Sequence, residues 1–173
     1  GNTIFTNYVR FNIVDFHLNR SIDGLFIFSM AYSGKYRPTN PRKYKGDPTN
    51  VIYRSLWERK FMQWCDLNSN IMEWGSEEFF IPYRSPVDKR VHRYFPDFYV
   101  KCRTTIGTTA KYVIEVKPAK QTEPPVKKSR VTKKYLTEVT RYAINEAKWQ
   151  AAEKYCKSRN MQFKILTEKE LKV

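Results

Sequence analysis

Histidine and cysteine are scarce in this 173-residue chain, which contains two His and three Cys. The cysteines lie far apart, at Cys65, Cys102 and Cys156, so they suit neither a disulfide framework nor a Cys-x-x-Cys metal motif. With so few nitrogen and sulfur ligands, a zinc site is disfavoured as well. A metal that does chemistry in this protein must therefore be held by carboxylates, and the unpaired cysteines favour a reducing cytoplasm.

Acidic residues are the second shortage, because 17 Asp and Glu stand against 32 Lys and Arg, for a formal net charge of +15. Such an excess indicates a polyanionic partner, the alternative being a basic but inert surface. Aromatic residues make up 16% of the chain, too many for a disordered basic tail. The composition therefore predicts one folded, basic domain.

Uninterrupted apolar runs long enough to span a bilayer are also missing, so we expect no membrane association. The most apolar stretch, residues 1–29, is broken by two Asp and two Arg and has no net charge. We expect it to be an apolar extension, non-native or derived from upstream sequence and without a catalytic role, or alternatively an added structural hairpin. The whole excess of positive charge then lies in residues 30–173, which we predict to be the functional domain.

Two amphipathic stretches predict helices. Aromatic side chains recur with helical spacing within residues 50–67, where we expect Asn50 to be the N-cap and the aromatic stripe to face the core rather than to stack on bases. A second stripe from Leu136 to Tyr155 predicts a long helix. Residues 33–50, rich in Pro, Gly, Lys and Arg, are typical of an extended surface arm.

Three β-type runs lie between the predicted helices. Residues 78–83 and 91–101 flank a turn-forming segment and predict a β-hairpin. Residues 111–117 are rich in Val and Ile, as in a central strand, and are stopped by Pro118. A short strand over residues 161–166 follows the second helix. This order places several carboxylates where they can meet.

The group Pro96-Asp97, followed by Glu115-Val116-Lys117, carries the predicted chemistry. Within a strand, the side chains of Glu115 and Lys117 point to one face, and Val116 offers its carbonyl. If a neighbouring strand contributes Asp97, two carboxylates and a carbonyl surround a hard cation, a ligand set that suits Mg²⁺. A metal there activates water and neutralises phosphate charge, and Lys117 orients the water or stabilises the transition state. Singly, each residue is equally typical of a turn or a solvated strand face; the combination favours catalysis.

Glu58 lies on the first predicted helix, which could direct it at the same metal. The alternative is a surface ion pair with Arg54 one turn earlier on the helix.

Pro96-Asp97, eighteen residues before Glu115-Val116-Lys117, resembles the PD-(D/E)xK motif of restriction-endonuclease-like nucleases, and Glu58 resembles the additional helical acid that many of them carry. More specifically, residues 30–173 are similar to the head completion nucleases of T-even-type bacteriophages. The segments that carry this likeness include YKGDP at 44–48, WGSE at 74–77, TEPPVK at 122–127 and ILTE at 165–168.

The resemblance implies an α/β fold with a restriction-endonuclease-like core of the TnsA type, a mixed β-sheet flanked by helices. It implies a Mg²⁺-dependent deoxyribonuclease, with Mn²⁺ able to substitute and no small-molecule cofactor. On this resemblance, the expected catalytic residues are Glu58, Asp97, Glu115 and Lys117. The metal ligands are Asp97, Glu115 and the Val116 carbonyl, with Glu58 as a further one.

The resemblance also implies a place in virion assembly. Double-stranded DNA and the portal, neck and head proteins of the phage are the implied partners, in the host cytoplasm during assembly and at the head–tail junction of the virion. The nuclease is expected to trim packaged DNA.

Basic side chains on both sides of the motif in sequence predict contacts to phosphates without base reading, the alternative being a solvated charged face. The side chains assigned to DNA are Lys35, Arg37, Lys43, Lys45, Lys120, Lys127, Lys128 and Lys148.

Two other functions stay open at this point. One is a non-catalytic connector protein that binds DNA at the head–tail junction. The other is a TnsA-like transposase subunit, or a defence or repair endonuclease, with the same catalytic core.

Overall fold

The computed structural model describes residues 32–171, so the prediction that residues 1–29 form a separate extension lies outside the described residues. Eight strands are present in the described part of the chain: β1 (Gly34–Tyr36), β2 (Val51–Tyr53), β3 (Ile71–Ser76), β4 (Ile81–Arg84), β5 (Val91–Tyr94), β6 (Phe98–Arg103), β7 (Thr109–Val116) and β8 (Gln162–Leu166). The helices are α1 (Leu56–Leu67), α2 (Lys133–Ser158) and the short α3 (Glu168–Leu171), with 3₁₀ turns at Pro41–Lys43 and Ala119–Gln121.

The central sheet has the strand order β3-β6-β7-β8. Strand β6 runs antiparallel to both β3 and β7, and β8 runs parallel to β7. Two small antiparallel sheets, β1-β2 and β4-β5, accompany it. The predicted α/β fold with a mixed sheet flanked by helices is therefore confirmed.

Strand β7 is covered on both faces, which explains its nearly continuous apolar sequence. On one face Ile114 belongs to the same core as Phe61 of α1. On the other face Phe163 of β8 packs against Ala152 of α2. Phe163 pairs in register with Val113 of β7. Side chains alternate along a strand, so Glu115, two residues after Val113, projects from the same face, toward α2.

Helix α1 begins six residues later than predicted, and Asn50 is not its N-cap. The preceding Val51–Tyr53 forms strand β2 instead. The Ser55 hydroxyl caps the helix by accepting a hydrogen bond from the Glu58 N–H at 3.1 Å. Ser-x-x-Glu is the sequence signature of such a cap, and the aromatic spacing that continued across it concealed this signal. The core assignment of the aromatic stripe is confirmed for Phe61, which is fully buried.

The predicted hairpin is confirmed, but only the first part of residues 91–101 belongs to it. Strand β4 pairs with β5 in the register that puts Ile81 opposite Tyr94. The chain then leaves this small sheet and enters the central sheet as β6. Pro96 lies at the break, where it has no N–H to give to a strand ladder. Asp97 consequently stands at the entrance to a central strand.

The predicted surface arm, residues 33–50, is more ordered than expected. It contains β1 and a 3₁₀ turn, and Asp66 of α1 anchors it. The Asp66 carboxylate is fully buried and accepts hydrogen bonds from the Tyr36 hydroxyl at 2.8 Å and from the backbone N–H groups of Thr39 and Asn40 at 2.7 and 2.9 Å. One carboxylate thus holds the arm against the helix.

Helix α2 confirms the long C-terminal helix and begins three residues before the predicted start, with the Thr132 side chain accepting from the Tyr135 N–H. Strand β8 confirms the short strand predicted over residues 161–166. Across residues 32–171, no helix combines the length and apolar character that crossing a membrane demands.

The Asp66 anchor leads to a stability prediction. Asp66→Ala leaves one buried hydroxyl and two partly buried N–H groups without their acceptor, so we expect the free energy of unfolding to fall by about 3 kcal/mol or more. Urea unfolding followed by circular dichroism measures this loss. The exposed Glu153 on α2 provides the control, because Glu153→Ala should change stability by no more than about 0.5 kcal/mol. A loss of the same size in both variants would contradict the anchoring role.

Candidate active site

The pairing of β6 with β7 brings two carboxylates together at one end of the central sheet. Phe98 pairs with Ile114 in this antiparallel ladder, so the preceding Asp97 and the following Glu115 face each other where the ladder ends. The Asp97 Oδ2 accepts a hydrogen bond from the backbone N–H of Val116 at 2.7 Å. The Asp97 carboxylate therefore takes the position that a backbone acceptor would occupy if the ladder continued.

Each oxygen of the Glu115 carboxylate has a donor nearby. Oε2 accepts a hydrogen bond from the Tyr94 hydroxyl at 2.6 Å, and Oε1 lies 3.3 Å from the Lys117 ammonium. Glu115 is only 5% exposed, and a buried carboxylate is tolerated only when such partners replace its hydration. Glu115 and Lys117 project from the same face of the strand, as their spacing predicted.

Helix α2 contributes a second cation to this face. The Lys148 Nζ lies 5.6 Å from the ring centroid of Tyr94 and 5.7 Å from that of Tyr83. Burial lowers the pKa of this ammonium, while the charges of Glu115 and Asp97 oppose that shift. Lys148 is therefore a half-buried cation within electrostatic reach of the acidic pair.

Glu58 lies in the first turn of α1. Its Oε2 accepts a hydrogen bond from the backbone N–H of Arg54 at 2.9 Å. The Arg54 guanidinium pairs with Glu77 at 3.0 Å, so the alternative surface pair between the side chains of Glu58 and Arg54 is not what the structure shows. Burial raises the pKa of Glu58, with smaller contributions from the charges of Glu77 and Glu115.

The pKa of Asp97 lies well above its usual range. Burial is the largest cause, and the negative charges of Glu115 and Glu58 add to it. The Val116 N–H and the Lys117 charge act in the opposite direction without cancelling the rise. An ionised Asp97 beside an ionised Glu115 is thus costly, and a bound cation would relieve this cost.

The donor set at this end of the sheet suits a hard divalent cation. A residue's N–H and C=O point to the same edge of a strand, so the Val116 carbonyl faces the edge on which its N–H meets Asp97. Asp97, Glu115 and this carbonyl offer oxygen ligands only, and few of them, as suits Mg²⁺, which keeps several waters. In residues 32–171 no group of three or more Asp, Glu, His or Cys side chains is placed to hold a metal. Glu58 as a further ligand therefore stays a prediction.

The structure gives the eight basic side chains assigned to DNA different surroundings. Lys148 lies at the acidic pair, as described above. Lys45 is exposed and 3.9 Å from Glu73. Five others are exposed: Lys35, Arg37, Lys120, Lys127 and Lys128.

Lys43 requires a correction. Its ammonium donates hydrogen bonds to the backbone carbonyls of Asp66 and Asn68 at 2.9 and 2.8 Å, at the C-terminal end of α1. A cation at this position satisfies carbonyls that the helix leaves unpaired and complements the helix dipole. The side chain assigned to phosphate contact is engaged in holding the arm to α1.

Sequence reasoning missed the placement of Tyr94 and Lys148 at the acidic pair. For Lys148 the sequence does contain a signal. Ile144 and Ala152 lie one helical turn before and after it on the same side of α2, and both belong to the core under this helix. A lysine within an apolar stripe indicates a buried partner for its charge. For Tyr94 no local signal points to Glu115, which lies 21 residues further along the chain.

Comparison with known proteins relates this chain to two nuclease groups. The family model described as the TnsA-like endonuclease N-terminal domain matches residues 68–168, a segment that contains the acidic pair, Lys117 and Lys148 but not Glu58. The chain is also 41% identical over 143 residues to the head completion nuclease of Enterobacteria phage T4. That match spans 80% of this chain and 93% of the T4 protein.

The raised pKa of Asp97 predicts a pH-dependent stability. A carboxyl whose pKa is higher in the folded than in the unfolded state has no effect on stability below the unfolded pKa, destabilises the fold increasingly as the pH rises from the unfolded toward the folded pKa, and destabilises it by a constant amount above the folded pKa. Asp97→Asn removes the charge and keeps an oxygen that can accept the Val116 N–H. We expect this variant, in metal-free buffer, to be more stable than the parent at neutral pH and to lose that gain near about pH 3.

Thermal or urea unfolding across this pH range measures the effect. Asp88→Asn is the matched control, because the Asp88 carboxyl is exposed and its pKa is lowered by the Arg90 N–H and by His92, so no gain is expected. A loss of stability in Asp97→Asn at neutral pH, or an equal gain at every pH, would contradict the electrostatic account of the site.

Proposed function

The chain belongs to the TnsA-like endonuclease family, and on this premise we propose that it is a metal-dependent deoxyribonuclease that hydrolyses phosphodiester bonds in double-stranded DNA. The observation that carries the proposal is the meeting of Asp97 with Glu115 across β6 and β7, with Lys117 on the same strand face as Glu115. Composition alone would equally suit a protein that only binds DNA. An acidic pair is a poor way to hold a polyanion, but it is a good way to hold the cation that hydrolysis requires.

In this proposal Asp97, Glu115 and the Val116 carbonyl would hold Mg²⁺, and Mn²⁺ could replace it. A divalent cation at this position supplies a hydroxide nucleophile at neutral pH and neutralises charge on the phosphate. Glu58 serves as the additional acid beside this pair, a role supported by the effect of its charge on the pKa of Asp97.

Three further side chains prepare the site for a phosphate. Lys117, whose side chain is 26% exposed, can reach both Glu115 and solvent, and so it orients the attacking water and stabilises negative charge in the transition state. Lys148 binds a phosphate oxygen from the α2 side. Tyr94 is a positioning residue, because its hydroxyl fixes one oxygen of the Glu115 carboxylate.

The exposed basic side chains described above contact phosphates in a way that carries no base information, so we expect cleavage of low sequence specificity and strong sensitivity to salt. We assign this activity to residues 30–173 and to the trimming of packaged DNA when the phage head is completed and joined to its tail. The support for this assignment is the 41% identity to a protein named head completion nuclease. Portal, neck and head proteins are the proposed protein partners, in the host cytoplasm and in the virion.

One alternative is favoured by a specific observation. The match to the TnsA-like domain also suits a transposase-type or defence endonuclease, which would use the same residues for the same chemistry. Genome neighbourhood and the protein composition of purified particles distinguish these contexts.

Substitutions in the acidic pair should abolish cleavage while leaving the fold intact. We expect Asp97→Ala, Glu115→Gln and Lys117→Ala each to lower the rate of cleavage by about 100-fold or more, because each removes a group that holds the metal or stabilises the transition state. Cleavage of linear and supercoiled DNA in Mg²⁺ measures the effect, with EDTA as the metal-free comparison. Glu153→Gln, an exposed change on α2, should retain full activity.

Two outcomes would contradict the enzyme assignment. One is absence of any metal-dependent cleavage by the unmodified protein. The other is full activity of the Asp97→Ala protein, which would point to a contaminating nuclease. DNA binding without cleavage would favour the non-catalytic connector.

Lys148 gives a separate prediction, because it comes from a different element than the motif. We expect Lys148→Ala to lower kcat by about tenfold to a hundredfold, and Lys148→Arg to recover much of that loss, since a guanidinium also binds a phosphate oxygen. Steady-state kinetics with a labelled duplex separate kcat from KM. An unchanged kcat with a raised KM would place Lys148 in ground-state DNA binding only.

A further inference from the structure

A cleft of 540 Å³ lies between the loop that follows β7 and the N-terminal half of α2. We propose that this cleft binds unpaired nucleotides of the DNA strand adjacent to the scissile phosphate. The proposal depends on the proposed nuclease function for the identity of its ligand, but it requires neither the metal nor the acidic pair.

Both walls of the cleft lead to the candidate active site. The loop wall begins directly after Lys117, and Lys120 lines the cleft. The helix wall includes Asn145, and Lys148 follows it by three residues on the same side of α2. A strand that leaves the acidic pair along either wall therefore enters the cleft.

The cleft exists because α2 is much longer than the sheet beneath it. Its 26 residues span about 39 Å, whereas the five residues of β8 span about 17 Å. The core under α2 uses side chains from Ile144 to Tyr155, from the middle of the helix onward. Residues of α2 before Ile144 line the cleft together with residues 120–128 of the loop.

The walls present flat, apolar surfaces of the kind on which bases stack. Tyr135 and Tyr142 line the cleft from α2, and Pro124 and Pro125 line it from the loop. Aromatic rings bind unpaired bases regardless of sequence, whereas a duplex keeps its base faces stacked inside. The volume is that of a site for a small molecule, which suits one or two nucleotides and excludes a double helix.

The charge of the lining complements a phosphodiester backbone. Four cations, Lys120, Lys128, Lys134 and Arg141, stand against two carboxylates, Glu123 and Glu138. Within residues 32–171 none of the four cations forms an ion pair, since the ion pairs of this part of the chain involve other side chains. The positive charges are thus available to a ligand.

Asn145 adds an uncharged polar group to the cleft. It is 9% exposed, it lines the cleft, and its side chain makes no hydrogen bond to another residue of the described chain. The amide atoms of Asn145 are not among the side-chain polar atoms that are sealed from solvent without a partner, so water hydrates them in the free protein and a polar ligand in the cleft can replace that water. An amide both donates and accepts, as the edge of a base requires. An apolar helix would leave Asn145 and the cations unsatisfied, and an acidic peptide would leave the tyrosine rings without a stacking partner.

Binding without cleavage tests this inference. Fluorescence anisotropy in EDTA compares a labelled blunt duplex with the same duplex carrying a short single-stranded overhang. We expect the unmodified protein to prefer the overhang, and Tyr135→Ala to weaken overhang binding by about tenfold while leaving blunt-duplex binding unchanged. Tyr135→Phe should retain the preference, because it keeps the ring. Leu136→Ala, an exposed change at the next position and outside the cleft lining, is the matched control and should also retain it.

A second variant and a competitor make the test independent of the folding of one protein. Asn145→Leu should reduce the overhang preference, with folding checked by circular dichroism. Equal binding of both duplexes by the unmodified protein, an unchanged preference in Tyr135→Ala, or competition by poly-aspartate as strong as that by a single-stranded oligonucleotide would each overturn the proposal. The binding assay contains EDTA and therefore does not depend on cleavage. If the unmodified protein cleaves DNA in Mg²⁺ but shows no overhang preference in EDTA, only the proposal for the cleft is rejected. An overhang preference in a protein that cleaves nothing rejects the nuclease function alone.

Discussion

Two carboxylates forced together at the end of a sheet are the constraint on which the rest of this structure depends. Asp97 and Glu115 face each other because the ladder of β6 and β7 ends between them, and burial makes their negative charges costly. Neighbouring donors offset part of this cost. The Val116 N–H stabilises the Asp97 carboxylate, and the Tyr94 hydroxyl and the Lys117 ammonium stabilise the Glu115 carboxylate. The pKa of Asp97 nevertheless stays raised, so the protein alone does not neutralise the pair. Such a residual cost is expected where a site is built for a cation rather than for stability.

Elements that look peripheral to the sheet acquire a purpose from this pair. The β4-β5 hairpin delivers Tyr94, and the second half of α2 packs so that Lys148 lies over the Tyr94 ring. The arm of residues 33–50, anchored by Asp66, holds the helix that carries Glu58. Three separate parts of the chain therefore converge on one end of β7.

Most of the element order could be predicted from the sequence, because apolar spacing reports which side chains of a local segment are buried. The Val and Ile run of β7 and the long stripe of α2 were identifiable in this way. The predicted start of α1 was wrong because Tyr53, a buried residue of β2, lies at a position that continues the helical spacing of the aromatic residues after it. The division of residues 91–101 between two sheets, and the meeting of Tyr94 with Glu115, depend on which distant strands pair, and periodicity carries no information on that. The motif identified the residue types of the acidic pair, whereas the position of Lys148 beside that pair depends on how α2 packs on the sheet.

Charge explains how an acidic centre can serve a protein that carries +15 overall. In their ionised forms Glu58, Asp97 and Glu115 outnumber Lys117 and Lys148 by one, so the centre by itself is weakly negative and repels a phosphate. Arg54 does not change this balance, because Glu77 pairs with it. A bound divalent cation would change this net charge from minus one to plus one, so on the proposed function the binding of a cation and of a DNA phosphate would favour each other at this site. In the proposed function, the exposed lysines would concentrate DNA at the surface without the centre holding it, and only a centre loaded with metal would attract the phosphate that is to be cut.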